Sequence, residues 1–390
     1  MEKRVGMEAS IAVAEAVALC DVDVVAAYPI TPQTHIVEHL SELVADGRLD
    51  AAFIPVESEH SAMSVCCGTS AAGARTFTAT ASQGLALMHE ILFIASAMRL
   101  PIVMVVANRA LSAPINIWND HSDVMAERDT GWIQIFTENA QEAVDLSIWA
   151  FRLAEDRRVS LPVMVNLDGF ILTHTIEPVT LPEREQVMNF LPPFEPLQRL
   201  DVDNPITMGP VGIPDIYTET RFALQRALED SYGPICETLE EFGRHFGRNY
   251  WPVESYRAEG AEFLLLTMGA ISQTAMEVVD SLRARGKKVG LVRLRLWRPF
   301  PAGALLRQLD GARALGVVDR AVSMGGPVGP VWSEVRSAMY SRLDIPTKSF
   351  IAGLGGRDVT PEDFEHMFEL VEKAASDGHD DKPVFIGLRE

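Results

Sequence analysis

Cysteine is scarce: four residues in 390, Cys20, Cys66, Cys67 and Cys236, with no CxxC spacing. Iron–sulfur and zinc sites need three or four thiolate or imidazole ligands at tight spacing, which this chain lacks. The four read as structural thiols in a reducing compartment, with the vicinal pair Cys66-Cys67 on a packed helix. Basic residues are also in deficit. Lys plus Arg number 34 and Asp plus Glu 54, so the formal charge is 34 − 54 = −20. That balance argues against nucleic-acid backbones and anionic membrane surfaces as partners. No apolar run reaches the ~18 residues needed to span a bilayer. The stretch from Lys3 and Arg4 through Ile11 to Cys20 has the outline of a signal peptide, but Glu15 interrupts it and its 3.6-residue spacing suits a helix. We therefore expect a cytoplasmic chain. GxGxxG, Walker A, GxSxG and HExxH patterns are missing too. Gly325, Gly326 and Gly329, and again Gly353, Gly355 and Gly356, read instead as tight βα turns.

What is present is ordinary globular material, 47% hydrophobic and 23% charged, which excludes wholesale disorder. Short apolar runs alternate with helical patterns over the first ~175 residues. Strands are expected at Val22–Ala27, Ala52–Pro55, Arg75–Thr80, Pro101–Ala107 and Leu161–Val165, with helices at Thr34–Val44, Ser58–Ala72 and Leu85–Met98. Such alternation implies an α/β fold with a doubly wound, mostly parallel sheet. Prolines then recur (Pro182, Pro192, Pro193, Pro196, Pro205), marking an extended connector, and one helical segment follows from Thr218 to Phe246. A second α/β unit opens at Ala261, with strands at Phe263–Met268, Val289–Leu294, Gly316–Asp319 and Ser349–Leu354 and a helix at Gln273–Arg285. The expected domains are residues 1–180, a linker and helical connector over 181–258, and a C-terminal unit over 259–390.

Functional groups in parallel sheets gather where strands end, because the loops there converge on a crevice. Three loops stand out. In Tyr28-Pro29-Ile30-Thr31-Pro32, two prolines fix the backbone so that Thr31 is presented at a strand end; a rigid turn with a helix-capping Thr is the plainer reading. In Val56-Glu57-Ser58-Glu59-His60-Ser61, two acids and a His precede a helix of small residues that lets something flat approach. An acid there also serves simply to complement a helix dipole. The third loop runs from Asn108-Arg109-Ala110 through Pro114, Trp118, Asn119, Asp120, His121 and Asp123. Arg109 is well placed for a two-pronged hold on a carboxylate. The run Asn119–Asp123 reads as a solvated loop rather than a metal site.

Together these loops resemble the α subunits of the four-subunit pyruvate:ferredoxin oxidoreductases, a branch of the 2-oxoacid:ferredoxin oxidoreductase family. The matching stretches are Ala27–Thr34, Pro55–Ser64, Thr76–His89 and Pro101–Gly131, and, further on, Arg293–Pro301 and Ile351–Gly356. The resemblance implies a thiamine-enzyme pyrimidine-binding domain, followed by a unit like the transketolase C-terminal domain. It implies that Glu59 is the cofactor-activating acid, hydrogen-bonded to N1′ of the aminopyrimidine so that the thiazolium C2 proton can leave. Tyr28 and Pro29 would lie at the pyrimidine, while Thr31 and Arg109 would hold the 2-oxoacid.

Thiamine enzymes bind the diphosphate through Mg²⁺ with a GDG sequence, and no GDG occurs here. The resemblance explains this by a split site: thiamine diphosphate is shared with a β subunit that supplies the diphosphate and Mg²⁺ contacts. Further γ and δ subunits would complete the enzyme. The [4Fe-4S] clusters would lie in partner subunits, passing electrons to ferredoxin as coenzyme A takes the acyl group. No metal is expected in this chain, which should be inert alone. Two alternatives stand beside this reading: the same chemistry on an aromatic or branched 2-oxoacid, such as phenylglyoxylate or 2-oxoisovalerate, and a non-catalytic scaffolding subunit.

Overall fold

A computed structural model describes residues 3–378 and 382–389 of the chain. The larger sheet has seven strands in the order Leu296–Arg298, Ile133–Phe136, Val163–Asp168, Val103–Asn108, Thr76–Thr80, Val24–Ala27 and Ala52–Pro55. Neighbours are parallel except Leu296–Arg298, which runs antiparallel to Ile133–Phe136. The central strands Thr76–Thr80, Val103–Asn108 and Val163–Asp168 are buried at every residue, because helices cover both faces. Val103 and Val105 pack toward helices Ala9–Leu19, Thr34–Ala45 and Ala140–Ala154. Met104 and Val106 pack toward helices Glu59–Ala71 and Ser82–Ala97. Trp149 ties two of the outer helices together: its indole N–H donates to Thr238 Oγ1 at 2.9 Å while the ring is fully buried. Truncating a core Trp of this kind costs about 3–5 kcal/mol.

The second sheet has six strands in the order Val384–Phe385, Thr347–Ile351, Ala314–Asp319, Phe263–Thr267, Val289–Leu294 and Val253–Tyr256. It is parallel apart from Val253–Tyr256. A small antiparallel pair joins Lys3–Glu8 to Ile176–Leu181.

Both sheets are of the doubly wound, mostly parallel kind expected from sequence. Several elements differ from expectation. The proline-rich connector carries a helix, Arg184–Phe190, before it becomes irregular. The single helix expected from Thr218 to Phe246 is two, Pro214–Asp230 and Tyr232–Phe246, separated at Ser231. Strand Ile133–Phe136 and helix Ala140–Ala154 are not among the expected elements, although Asn139 with Glu142 three residues on marks the helix start. That helix is buried nearly all round and even encloses Glu142 and Asp145, so it shows no clean polar face. Arg295 pairs with Glu142 and Arg248 with Asp145, which compensates those buried charges. Cys66 and Cys67 lie buried on helix Glu59–Ala71, as expected.

Candidate active site

Four adjacent strands of the larger sheet, Ala52–Pro55, Val24–Ala27, Thr76–Thr80 and Val103–Asn108, release their loops at one carboxyl edge. Val56 N–H donates to Ala27 O at 3.2 Å, which keeps the first two loops side by side. Glu59 opens helix Glu59–Ala71 behind the N-cap Ser58, whose hydroxyl accepts from Ser61 N–H. Although it is a first-turn acid, Glu59 is only 6% exposed. Burial pushes its carboxyl above the ordinary range, opposed only by a hydrogen bond from its own backbone N–H. No side chain among the described residues partners it.

The floor under this carboxyl is Gly84, near the start of helix Ser82–Ala97. A Cβ at Gly84 would stand 2.5 Å from Glu59 Oε1, 2.5 Å from Thr80 Oγ1 and 2.8 Å from Glu59 Cγ. Backbone thus presses directly on the acid, and any side chain at this position would have to displace the Glu59 carboxyl or the Thr80 hydroxyl. Thr80 Oγ1 is itself buried and unpartnered among the described residues. A buried acid whose proton affinity is raised and which lacks a side-chain partner is suited to share a proton with a group brought in from outside. Neither Gly84 nor Thr80 was singled out from sequence.

Arg109 follows strand Val103–Asn108 and is 6% exposed. Its Nε donates to Asn116 O at 2.8 Å and its Nη1 to Thr31 O at 2.9 Å. Burial lowers its guanidinium below the usual value, and the nearby Asp123 offsets part of this. The structure therefore brings Thr31 and Arg109 together. Thr31 itself is exposed and does not cap a helix: the following helix, Thr34–Ala45, starts from Gln33, whose amide donates to Tyr28 O at 2.8 Å. Tyr28 and Pro29 are exposed at the same rim.

The run Asn119–Asp123 is not a solvated loop. Asn119, Asp120, His121 and Asp123 are all buried; His121 N–H donates to Arg320 O of the second unit, whereas Asp123 is enclosed by the first. His121 Nε2 lies 2.7 Å from Asp168 Oδ1, Asn119 Nδ2 donates to the same oxygen at 3.1 Å, and Arg320 Nη1 donates to Asp168 Oδ2 at 3.0 Å. Burial opposes ionisation of Asp168, but Arg320 and His121 outweigh it and hold the carboxyl well below the usual range. The turn Gly353–Gly356 of the second unit grips the same loop. Asn116 Nδ2 donates to Gly355 O and Gly355 N–H donates to Asp120 Oδ2, both at 3.1 Å. Gly355 and Gly356 have φ of +58° and +79°, and a Cβ on either would strike Asn116 or Trp118. Among the described residues no cluster of three or more His, Cys, Asp or Glu could hold a metal ion. No helix among them is long and apolar enough to cross a membrane.

The architecture recurs in solved structures. A 2-oxoglutarate:ferredoxin oxidoreductase from Magnetococcus marinus superposes with a TM-score of 0.71 over 95% of this chain at 21% identity; this chain spans 65% of that one. A split-gene transketolase matches with a TM-score of 0.54 over 95% of this chain at 13% identity. The mixed α/β fold with mostly parallel sheets is thus shared with both proteins. Residues 15–235 match the family described as "Pyruvate flavodoxin/ferredoxin oxidoreductase, thiamine diP-bdg", and residues 261–364 match "Pyruvate:ferredoxin oxidoreductase core domain II". The chain belongs to the pyruvate:ferredoxin oxidoreductase family. It is 53% identical to pyruvate synthase subunit PorA of Methanocaldococcus jannaschii over 97% of this chain and 96% of that one. It is 49% identical to the Thermotoga maritima subunit of the same name over 100% and 99% of the two chains. Identity to ketoisovalerate oxidoreductase subunit VorA of Pyrococcus abyssi is 45%, over 96% and 94%.

Proposed function

We propose that this chain is the α subunit of a pyruvate synthase, supplying the pyrimidine-side half of a split thiamine diphosphate site. The observation that carries the reading is the buried Glu59 carboxyl, pressed by Gly84 and lacking a side-chain partner, one loop away from the Thr31–Arg109 pair. Thiamine diphosphate, when bound, supplies the electron sink for decarboxylating a 2-oxoacid. Glu59 holds a proton at N1′ of its pyrimidine, and burial, which pushes its carboxyl above the ordinary range, favours the protonated form. Tyr28 and Pro29 line the approach to the ring. Arg109, steadied by carbonyls at Nε and Nη1, turns its remaining N–H donors to the substrate carboxylate, and the Thr31 hydroxyl meets the same group or the keto oxygen. The diphosphate and Mg²⁺ belong to a β subunit, in keeping with the missing GDG sequence. The [4Fe-4S] clusters belong to other subunits, γ and δ completing the complex that passes electrons to ferredoxin and the acyl group to coenzyme A. Four free cysteines, three of them buried, support a cytoplasmic setting.

The likeness to a ketoisovalerate oxidoreductase subunit favours one second reading, a branched 2-oxoacid as substrate. Assembly with its β, γ and δ partners and a coenzyme A-dependent assay on pyruvate, 2-oxoisovalerate and phenylglyoxylate decides between them. The expected result is the highest kcat/KM on pyruvate. Preference for 2-oxoisovalerate would overturn the substrate, and failure on every 2-oxoacid would overturn the function.

A further inference from the structure

We propose that Asp123 is a positioning residue that sets the spacing between the proton-holding Glu59 and the carboxylate-binding Arg109. The inference rests on the functional reading of those two residues and adds a third that touches neither substrate nor cofactor.

Asp123 is 1% exposed, and each of its oxygens accepts two N–H donors. Oδ2 accepts from Ser82 N–H at 3.0 Å and from Arg109 N–H at 2.9 Å. Oδ1 accepts from Asn108 Nδ2 at 3.1 Å and from Val124 N–H at 2.7 Å. A single oxygen therefore fastens the loop after strand Thr76–Thr80 to the loop after its neighbour Val103–Asn108. Ser82 has φ +45°, a conformation that a residue other than glycine keeps only when its surroundings over-determine it. Its hydroxyl, 2.6 Å from Ala110 O, adds a second tie between the same two loops. Two residues beyond Ser82 lies Gly84, whose backbone forms the floor against Glu59. On the other side, Arg109 leaves the shared oxygen to reach Thr31 O. Any shift of the Asp123 carboxylate displaces the Glu59 floor and the Arg109 root together.

In Asp123→Asn one acceptor oxygen becomes an NH₂ group facing two N–H donors, so one pair of ties opens whichever way the amide turns. In the assembled enzyme kcat/KM for pyruvate is expected to fall about 10- to 100-fold, the cost of a displacement of up to ~1 Å. The KM for coenzyme A should change little. If Asp123 acts through Arg109, Asp123→Asn combined with Arg109→Lys loses little more than the worse single change. Fully additive losses, or wild-type kinetics with a lowered thermal midpoint, would reduce Asp123 to a structural role and overturn the inference. Ser82→Gly guards against failed assembly, because glycine adopts φ +45° freely: the thermal midpoint should hold while kcat/KM drops. Unchanged kcat/KM in that variant counts against the bridge. Native-state amide exchange of the wild-type complex separates the two readings. The Ser82 and Arg109 amides should open together even if the complex proved inactive on every 2-oxoacid, and unlike protection of the two would refute the bridge itself.

Discussion

Gly84→Ala tests the acid site with the smallest available perturbation, one methyl group. In an ordinary helix interior this change stabilises by about 1 kcal/mol, since alanine is the better helix former. Here the new Cβ would sit 2.5 Å from both Glu59 Oε1 and Thr80 Oγ1 and 2.8 Å from Glu59 Cγ. Non-bonded carbon contacts are comfortable at ~3.5 Å, so the methyl group intrudes by about 1 Å. Overpacking of a tight site costs about 1–3 kcal/mol, so the net loss of stability is on the order of 0–2 kcal/mol. Folding and assembly should survive. The carboxyl is the part able to yield, and a ~1 Å displacement of a catalytic group costs about 100-fold in rate, or ~2.7 kcal/mol of barrier. The assay is steady-state, coenzyme A-dependent pyruvate oxidation by the assembled complex, alongside thermal melting of the same preparation. A large fall in kcat with a nearly unchanged melting midpoint is expected. A Gly84→Ala enzyme within about threefold of wild type would refute the reasoning, because an acid moved by that much could not be holding the essential proton.

Glu59→Gln keeps the shape and loses the transferable proton, so H/D exchange at thiazolium C2 should slow by about 10²–10⁴-fold in the complex; normal exchange would assign the proton elsewhere. Asp168→Asn leaves Arg320 and His121 buried around a neutral amide and should destabilise the chain by about 3–5 kcal/mol in chemical denaturation. Because Asp168 titrates below its unfolded value, its contribution is present in full above about pH 5 and lost as pH falls through 4 and below, so wild type should lose stability on acidification more steeply than the Asp168→Asn variant. The isolated chain should bind thiamine diphosphate weakly, since it lacks diphosphate and Mg²⁺ ligands; micromolar, Mg²⁺-dependent binding in titration calorimetry would contradict a split site.

The strand at the centre of the larger sheet was readable because burial on both faces favours β-branched, nearly continuous apolar runs such as Val103–Ala107. Arg109 was readable as a position because it directly follows strand Val103–Asn108, and Thr31 and Glu59 because each lies four residues beyond a strand end, Ala27 and Pro55. The opposite character of the Asn119–Asp123 loop was not. Its polar composition matches that of a solvated turn, and only partners far along the chain (Asp168, Arg320 and Gly355) convert it into a buried network. The role of Gly84 escaped for the same reason, since its constraint comes from a side chain on another helix. Helix Ala140–Ala154 was hidden by buried acids whose compensating arginines, Arg295 and Arg248, lie about a hundred residues or more downstream.

Strand Leu296–Arg298 leaves the second unit to close the outer edge of the first sheet against Ile133–Phe136. During synthesis, therefore, the amino-terminal sheet cannot be completed when its own last strand, Val163–Asp168, leaves the ribosome. It must wait for Arg298, a delay on the order of ten seconds at ~5–20 residues per second. For that interval the edge Ile133–Phe136, apolar at three of its four residues, is an open template for pairing with another nascent chain. Expression of the first unit alone would make the exposure permanent. Fragments ending before residue 296 should accumulate as aggregates, and a charged residue placed at the edge should relieve this in the fragment while weakening the full-length fold.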